Sequence, residues 1–189
     1  PAVEPGTVLF EDCFDPPTQG WGTMKREEGL IGFGYGGMVF TVDLPDTVLW
    51  SVNGDQWMDT RIEVDGMLVD GSADDFLGVI CRYQDDENFY AFLVSNDGYY
   101  GIIKYFDGRM AVLPENGLMQ YTDVIRQGVA LNHIQAVCQG DELRLSVNDS
   151  LLIEITDISF SSGRAGLIAG SHTDESVMVL FDNMAVYQP

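Results

Sequence analysis

Two carboxylates have the spacing that acid–base chemistry would require. Glu63 and Asp65 are two residues apart, so in a β-strand both side chains lie on the same face. A retaining glycosidase uses two carboxyl groups about 5 Å apart as nucleophile and acid. Gly66 follows directly and favours a turn at this point. We therefore assign no catalytic residue in this chain.

The cysteines and histidines lack the spacing of a metal site. The three cysteines form no Cys-x-x-Cys pair, and His133 and His172 are isolated, so a zinc site is not indicated. Cys81 and Cys138 each lie inside a run with apolar neighbours, and such thiols pair in an oxidising compartment if their Cα atoms come within about 7 Å. We predict a disulfide between Cys81 and Cys138, with Cys13 as the odd thiol, buried beside the first strand. Three reduced, buried cysteines are the alternative.

The charge of the chain excludes two classes of partner. Asp and Glu number 30 against 9 Lys and Arg, which gives a formal net charge of -21 at pH 7. Nucleic acid and anionic membrane surfaces are repelled by such a field, and no apolar span of about 18 residues indicates membrane insertion. Two explanations of the acidic residues stay open: they keep a β-rich protein soluble, or some of them bind calcium.

The elements that must position these residues are β-strands. Short runs of β-branched and aromatic residues are separated by Gly, Asp and Asn, and no stretch sustains a helical apolar period. With 189 residues and 46% hydrophobic residues, the chain is long enough for one well-filled core. We predict an all-β fold, a two-sheet antiparallel β-sandwich that forms a single domain over residues 1–189, with residues 1–6 as a linker.

Three strands and their turns fill the stretch from Phe76 to Gly108. Asn96-Asp97-Gly98 and Asp107-Gly108 are typical of hairpin turns, because glycine supplies the positive φ that these turns need. The predicted cross-strand pairs are Val94 with Tyr100, Phe92 with Ile102, Tyr90 with Lys104, Arg82 with Tyr90 and Ile80 with Phe92.

Alternation divides these strands into two faces. The face predicted to lie against the core is almost wholly apolar and consists of Leu77, Val79, Cys81, Tyr83, Phe89, Ala91, Leu93, Gly101, Ile103 and Tyr105. The other face is mixed, with an apolar row of Ile80, Phe92 and Ile102 beside a polar row of Arg82, Tyr90 and Lys104. We predict that the mixed face is the usable outer surface of the sandwich.

Several motifs together carry a resemblance to a known superfamily. They are Phe-x-Gly-Val-x-x-Arg from residue 76, Asn-x-Tyr-x-Phe from 88, Asp-Gly-x-Tyr from 97, Val-Asn-Asp at 147–149, Gly-x-x-Gly-Leu-Ile-Ala-Gly at 163–170 and Phe-Asp-Asn at 181–183. The chain resembles the concanavalin A-like lectin/glucanase sandwiches, and within them the laminin G-like and 3-keto-disaccharide-hydrolase-like domains of exported bacterial proteins. The resemblance implies a jelly roll with ligands on a concave sheet face.

That resemblance makes an extracellular, non-catalytic carbohydrate-binding module the leading hypothesis. Arg82, Tyr90, Phe92, Ile102 and Lys104 would bind the ligand on the concave face, since an apolar plate and fixed donors suit a sugar ring. The alternative is that a loop covers this patch and Arg82 pairs with an acid such as Glu63.

Two further functions stay open. Glycosidases of this superfamily carry a Glu-x-Asp-x-x-Glu pattern, and the Glu63–Asp65 stretch lacks its second glutamate. A glycosidase-type hydrolase is therefore less favoured than a binding module. A structural, self-associating subunit of an extracellular assembly is the third, because sheet edges are natural docking sites.

Calcium and export complete the expectations. In sandwiches of this resemblance the terminal strands are neighbours, which would bring Glu11 or Asp12 close to Asp182 in a structural calcium site; the alternative is that these carboxylates simply face solvent. No organic cofactor is indicated. The chain begins Pro-Ala-Val-Glu-Pro without Met, which fits either a trimmed start or a removed leader. We expect an extracellular or cell-surface location and a glycan or polysaccharide as partner.

Overall fold

The computed structural model describes residues 4–15, 20–114, 117–172 and 176–189. These residues form sixteen strands and no helix. The strands are β1 Val8–Asp12, β2 Met24–Arg26, β3 Gly29–Gly34, β4 Gly37–Val42, β5 Thr47–Val52, β6 Thr60–Asp70, β7 Phe76–Asp85, β8 Asn88–Ser95, β9 Tyr99–Phe106, β10 Arg109–Leu113, β11 Gln120–Tyr121, β12 Leu131–Gln139, β13 Glu142–Val147, β14 Ser150–Thr156, β15 Arg164–Ser171 and β16 Val177–Tyr187.

Two antiparallel sheets contain all sixteen strands and confirm the predicted β-sandwich. The nine-stranded sheet has the order β14-β13-β12-β6-β16-β4-β3-β2, and β1 pairs with β16. The seven-stranded sheet has the order β10-β9-β8-β7-β15-β5, and β11 pairs with β9. Local turn chemistry sets several of these pairings: Gly98, with φ +96°, closes the β8–β9 hairpin as predicted. Among the described residues no helix is long and apolar enough to cross a membrane.

The core lies between the sheets. Its largest fully buried members include Tyr90, Phe40, Phe92, Phe181 and Ile62. A second apolar cluster covers the outer face of the seven-stranded sheet, where Phe89, Ala91, Leu93 and Ile103 are buried as well. β8 is therefore apolar on both faces.

A disulfide joins the two sheets through this core. Cys81 on β7 bonds to Cys138 on β12, with 6.8 Å between the Cα atoms, which confirms the predicted pairing. Cys13 is a free, exposed thiol rather than a buried one.

A bulge in β7 changes the predicted register of the meander. The β8–β9 pairs are as expected, but Tyr90 lies opposite Cys81 rather than Arg82, and Phe92 lies opposite Val79 rather than Ile80. The register shifts between Cys81 and Asp85, where Arg82 has φ +52°. Because a bulge places an extra residue in one strand, it moves the following side chains to the opposite faces.

The chain ends lie next to each other. β1 pairs with the end of β16, where Glu11 lies opposite Ala185 and Asp12 opposite Met184. Of the predicted linker, residues 4–6 are described, and the Gly6 amide donates to the Gln188 carbonyl at 2.8 Å. Residues 1–3 lie outside the described residues.

Candidate functional site

The structure places the predicted ligand-binding face of β8 and β9 in the core. Tyr90, Phe92 and Ile102 have no exposed surface and pack between the sheets, so their assignment to an outer, open surface was wrong. The physical reason is that β8 has large apolar side chains on both faces, which leaves alternation unable to decide which face is inside.

The three polar residues of that prediction do meet, around a segment of the chain itself. We call residues 157–163, between β14 and β15, the strap. Arg82 Nη1 donates to the Phe160 carbonyl at 2.8 Å, and Lys104 Nζ lies 2.5 Å from Asp157 Oδ2. The Tyr90 hydroxyl also donates to Asp157. Arg82 further contacts Asp59, not Glu63, at 3.3 Å.

The charges and hydrogen bonds around Asp157 hold the strap against the sheet. Burial by itself raises the pKa of Asp157, but hydrogen bonds from Lys104, Ser159 and Tyr90 outweigh it and lower the pKa to about 2. Burial and the same carboxylate raise the pKa of Tyr90. The carboxylate is therefore charged and fully engaged at neutral pH, so these residues hold the strap rather than an open ligand site.

The open site is a groove on the outer face of the seven-stranded sheet, with a volume of about 470 Å³. Pockets of this size accommodate small ligands. Its floor and walls are mostly apolar and include Val48, Phe76, Leu93, Tyr99, Ile103, Tyr105, Met110, Val112 and Met119. The prediction that Leu93, Ile103 and Tyr105 lie against the core between the sheets was wrong. The sequence did contain a signal that these residues line a groove, because their face of the sheet also carries the aromatic residues Tyr83 and Phe89.

Tyr105 offers the groove a fixed aromatic plate. Its ring stacks on Phe89 with 4.3 Å between the ring centroids and an interplanar angle of 15°. Burial alone raises the pKa of the Tyr105 hydroxyl, which makes no hydrogen bond to another described residue. A ring supported from behind and a free hydroxyl suit the C–H face and the hydroxyls of a sugar.

The rim of the groove is polar and acidic. Asp46, Asp74, Asp97 and His172 line it, and the hydroxyl of Ser95 donates to Asp97. Behind the rim, the fully buried Asp75 accepts from the backbone amides of Ser72, at 2.6 Å, and His172, at 3.3 Å. Burial raises the pKa of Asp75 in spite of these bonds.

An aromatic row continues beside the groove. The half-buried Trp50 contacts Phe89 with 5.6 Å between ring centroids, and its indole N–H donates to Asp86 at 3.2 Å. Tyr83 donates to the same carboxylate, and burial together with Asp86 raises the pKa of Tyr83 to about 12. The Arg164 guanidinium lies 4.8 Å from the Tyr83 ring centroid.

The Glu63–Asp65 pair lies on the outer face of the other sheet, away from the groove. Asp65 Oδ1 is 2.8 Å from His133 Nδ1, and Asp65 Oδ2 accepts from Asn183 at 3.0 Å. Glu63 accepts from Gln135 at 2.9 Å and pairs with Arg61. Both carboxylates are thus engaged in a surface network of their own.

The three predicted calcium residues lie on the paired strands β1 and β16. Asp12 is buried and accepts from the Phe14 amide at 2.7 Å and from the Trp21 indole at 2.9 Å, whereas Asp182 accepts from the neighbouring amide of Asn183. No group of three or more His, Cys, Asp or Glu side chains suited to a metal ion occurs among the residues that the structure describes. Calcium at the chain ends stays a prediction, and a bound ion would need backbone carbonyl ligands.

Sequence comparison identifies no relative: no protein-family model and no curated protein matches the chain. Comparison of structures finds proteins of similar fold. The carbohydrate binding module CBM66 from Bacillus subtilis aligns with a TM-score of 0.72 and 20% identity, over 89% of this chain and 95% of that one. A protein of unknown function with a galectin-like fold from Bacillus subtilis aligns with a TM-score of 0.71 and 10% identity, over 98% and 97%.

A Bacillus licheniformis β-glucanase aligns as well, with a TM-score of 0.68 and 10% identity, over 98% of this chain and 100% of that one. Identities this low establish the fold alone, and the finer likeness to laminin G-like or keto-disaccharide-hydrolase-like domains stays a prediction. The nearly complete alignments show that the chain shares the two-sheet sandwich fold of these proteins.

Proposed function

We propose that the protein is a non-catalytic carbohydrate-binding module that binds a glycan in the groove. The observation that carries this proposal is the Tyr105 plate, which is stacked on Phe89 and presents, beside an apolar floor, a hydroxyl that bonds to no other described residue. The rim carboxylates Asp46, Asp74 and Asp97 can accept hydrogen bonds from sugar hydroxyls. The fold likeness to a carbohydrate-binding module supports the same proposal.

Export is part of this proposal. The disulfide between Cys81 and Cys138 fits an oxidising compartment, because cytosolic thiols are kept reduced. A polysaccharide partner outside the cell fits such a location.

The test is affinity gel electrophoresis against neutral glucans, xylans, mannans and fructans and against uronic-acid polysaccharides. We expect at least one neutral polysaccharide to retard the wild-type protein. Tyr105→Ala should weaken that binding about tenfold because a stacked aromatic contact contributes about 1 kcal/mol or more. Tyr105→Phe keeps the plate and should lose only the contribution of the hydroxyl.

Tyr35→Ala is the matched control, since Tyr35 is exposed and lies outside the groove. Retardation by no polysaccharide in the panel would contradict the proposal. Release of reducing sugar by the wild-type protein would instead support the hydrolase hypothesis, and a concentration-independent oligomer without any glycan response would support the structural one.

A further inference from the structure

Two half-buried aromatic plates on the outer face of the seven-stranded sheet contact Phe89, and only one of them lines the groove. Tyr105 lies on β9, whereas Trp50 lies on β5, at the other edge of the same sheet. Both are half-buried, so each keeps part of its ring surface open to solvent. Trp50 does not line the groove, and it packs against the outer apolar cluster rather than in the core between the sheets.

Phe89 fixes the spacing of these two plates. It contacts Tyr105 at 4.3 Å and Trp50 at 5.6 Å between ring centroids, so the two plates cannot be farther apart than the sum of these distances. Plates this close can stack on neighbouring rings of one sugar chain.

The Trp50 ring is held by its contact with Phe89 and by a hydrogen bond. Its indole N–H is held by the Asp86 carboxylate, which also accepts from the Tyr83 hydroxyl. Fixed aromatic rings lose little conformational entropy when a ligand binds, so they contribute more to affinity than mobile ones. Asp86 is exposed, and Arg164, which lies over the Tyr83 ring, is half-buried, so this part of the sheet also offers polar groups for sugar hydroxyls.

We propose that Trp50 forms a second aromatic subsite, and that the module binds several consecutive rings of a linear polysaccharide rather than a single terminal sugar. This inference rests on the proposed function. The glycan runs from the groove across the Tyr105 plate to the Trp50 plate. Because β5 is the last strand of its sheet, this path leads to the edge of that sheet, where a longer chain can continue.

Chain-length dependence tests the second subsite. The probes are cello-, xylo- and fructo-oligosaccharides from the disaccharide to the hexasaccharide, measured by isothermal titration calorimetry. For the series that binds, we expect the affinity of the wild-type protein to rise with length. Trp50→Ala should lower the affinity for the hexasaccharide about tenfold and leave the disaccharide nearly unchanged, whereas Tyr105→Ala should weaken every length.

Trp50→Phe provides the control for folding, since it keeps an aromatic ring and should keep most of the length dependence. It also removes one fluorophore: the hexasaccharide should change the tryptophan emission of the wild-type protein and not that of Trp50→Phe. Equal affinity at every length, or a Trp50→Ala variant with the wild-type length dependence, would overturn the inference and leave the proposed function intact. If no oligosaccharide or polysaccharide binds, both are wrong.

Discussion

Asp157 is the residue that ties the strap to strands β8 and β9. Its carboxylate takes a lysine from β9 and a tyrosine from β8, and its side chain is only 13% exposed. A buried carboxylate in this position is stable only when its hydrogen bonds are complete, because desolvation alone disfavours its charge. The pKa of Asp157 is lowered because its hydrogen bonds stabilise the charged form by more than burial destabilises it.

The first prediction concerns the pH dependence of this contact. The folded pKa of Asp157 is lowered from 3.8 to about 2, so its contribution to stability is present above about pH 4 and is lost as pH falls toward 2. Asp157→Asn should reduce the free energy of unfolding by roughly 2 kcal/mol at pH 7. Chemical denaturation of both proteins between pH 7 and pH 2 should show this difference shrinking as the pH falls.

Asp55→Asn is the control, since Asp55 is exposed and its side chain makes no hydrogen bond that the structure records among the described residues. A wild-type advantage over Asp157→Asn that persists unchanged at pH 2 would contradict the assignment of the low pKa.

At the scale of the element, the sequence predicts the turns better than it predicts which face of a strand is buried. Turn residues such as Gly98 act through local backbone geometry, so the hairpins and the all-β class could be predicted from them. The faces of β8 could not, because Phe89 and Tyr90 are equally apolar neighbours that point to opposite sides. Nor could the bulge at Arg82, since the left-handed conformation falls on a residue type that does not favour it.

The groove follows from the same difficulty. Its floor was predicted as core because it is as apolar as a core, and only the whole sheet arrangement leaves it uncovered. The disulfide was predictable because each cysteine sits in an apolar strand, and pairing then needs only that the strands face each other across the core.

The link between β7 and β12 gives the second prediction. A crosslink that closes a loop of 57 residues lowers the entropy of the unfolded chain and is worth about 4 kcal/mol. The double variant Cys81→Ala/Cys138→Ala should therefore melt roughly 10 °C lower than the wild-type protein. Differential scanning calorimetry measures this shift. Cys13→Ala serves as the control and should melt like the wild type, because Cys13 is free and exposed.

At the scale of the whole molecule, the net charge of -21 should select among glycans. No Lys or Arg occurs among the described residues that line the groove, and its rim carries Asp46, Asp74 and Asp97. We expect neutral polysaccharides to bind more tightly than uronic-acid polysaccharides of similar length. Since charge interactions are screened over about 10 Å at 0.1 M salt, the difference should narrow as salt is raised.

Asp97→Asn should narrow the same difference at low salt, because it removes one rim charge and keeps the shape of the side chain. Binding assays at two salt concentrations with both proteins measure the effect. Tighter binding of a uronic-acid polysaccharide than of any neutral one would contradict this prediction.

A further prediction concerns the calcium site expected at the chain ends. If calcium binds there only in the folded state, millimolar calcium should raise the melting temperature relative to chelator by mass action, and Asp182→Ala should remove the response. An unchanged midpoint in the wild-type protein would end the idea. A response that survives the substitution would place the ion elsewhere.

The pairing of β1 with the end of β16 also determines how the protein responds to mechanical force. Force applied to the two ends pulls these strands apart along their hydrogen bonds, so the load is carried by one pair of bonds at a time. We therefore expect single-molecule unfolding at low force. Once the sandwich opens, the Cys81–Cys138 bond withholds the 57-residue loop from extension, so adding a reductant should lengthen the unfolded chain by about 200 Å.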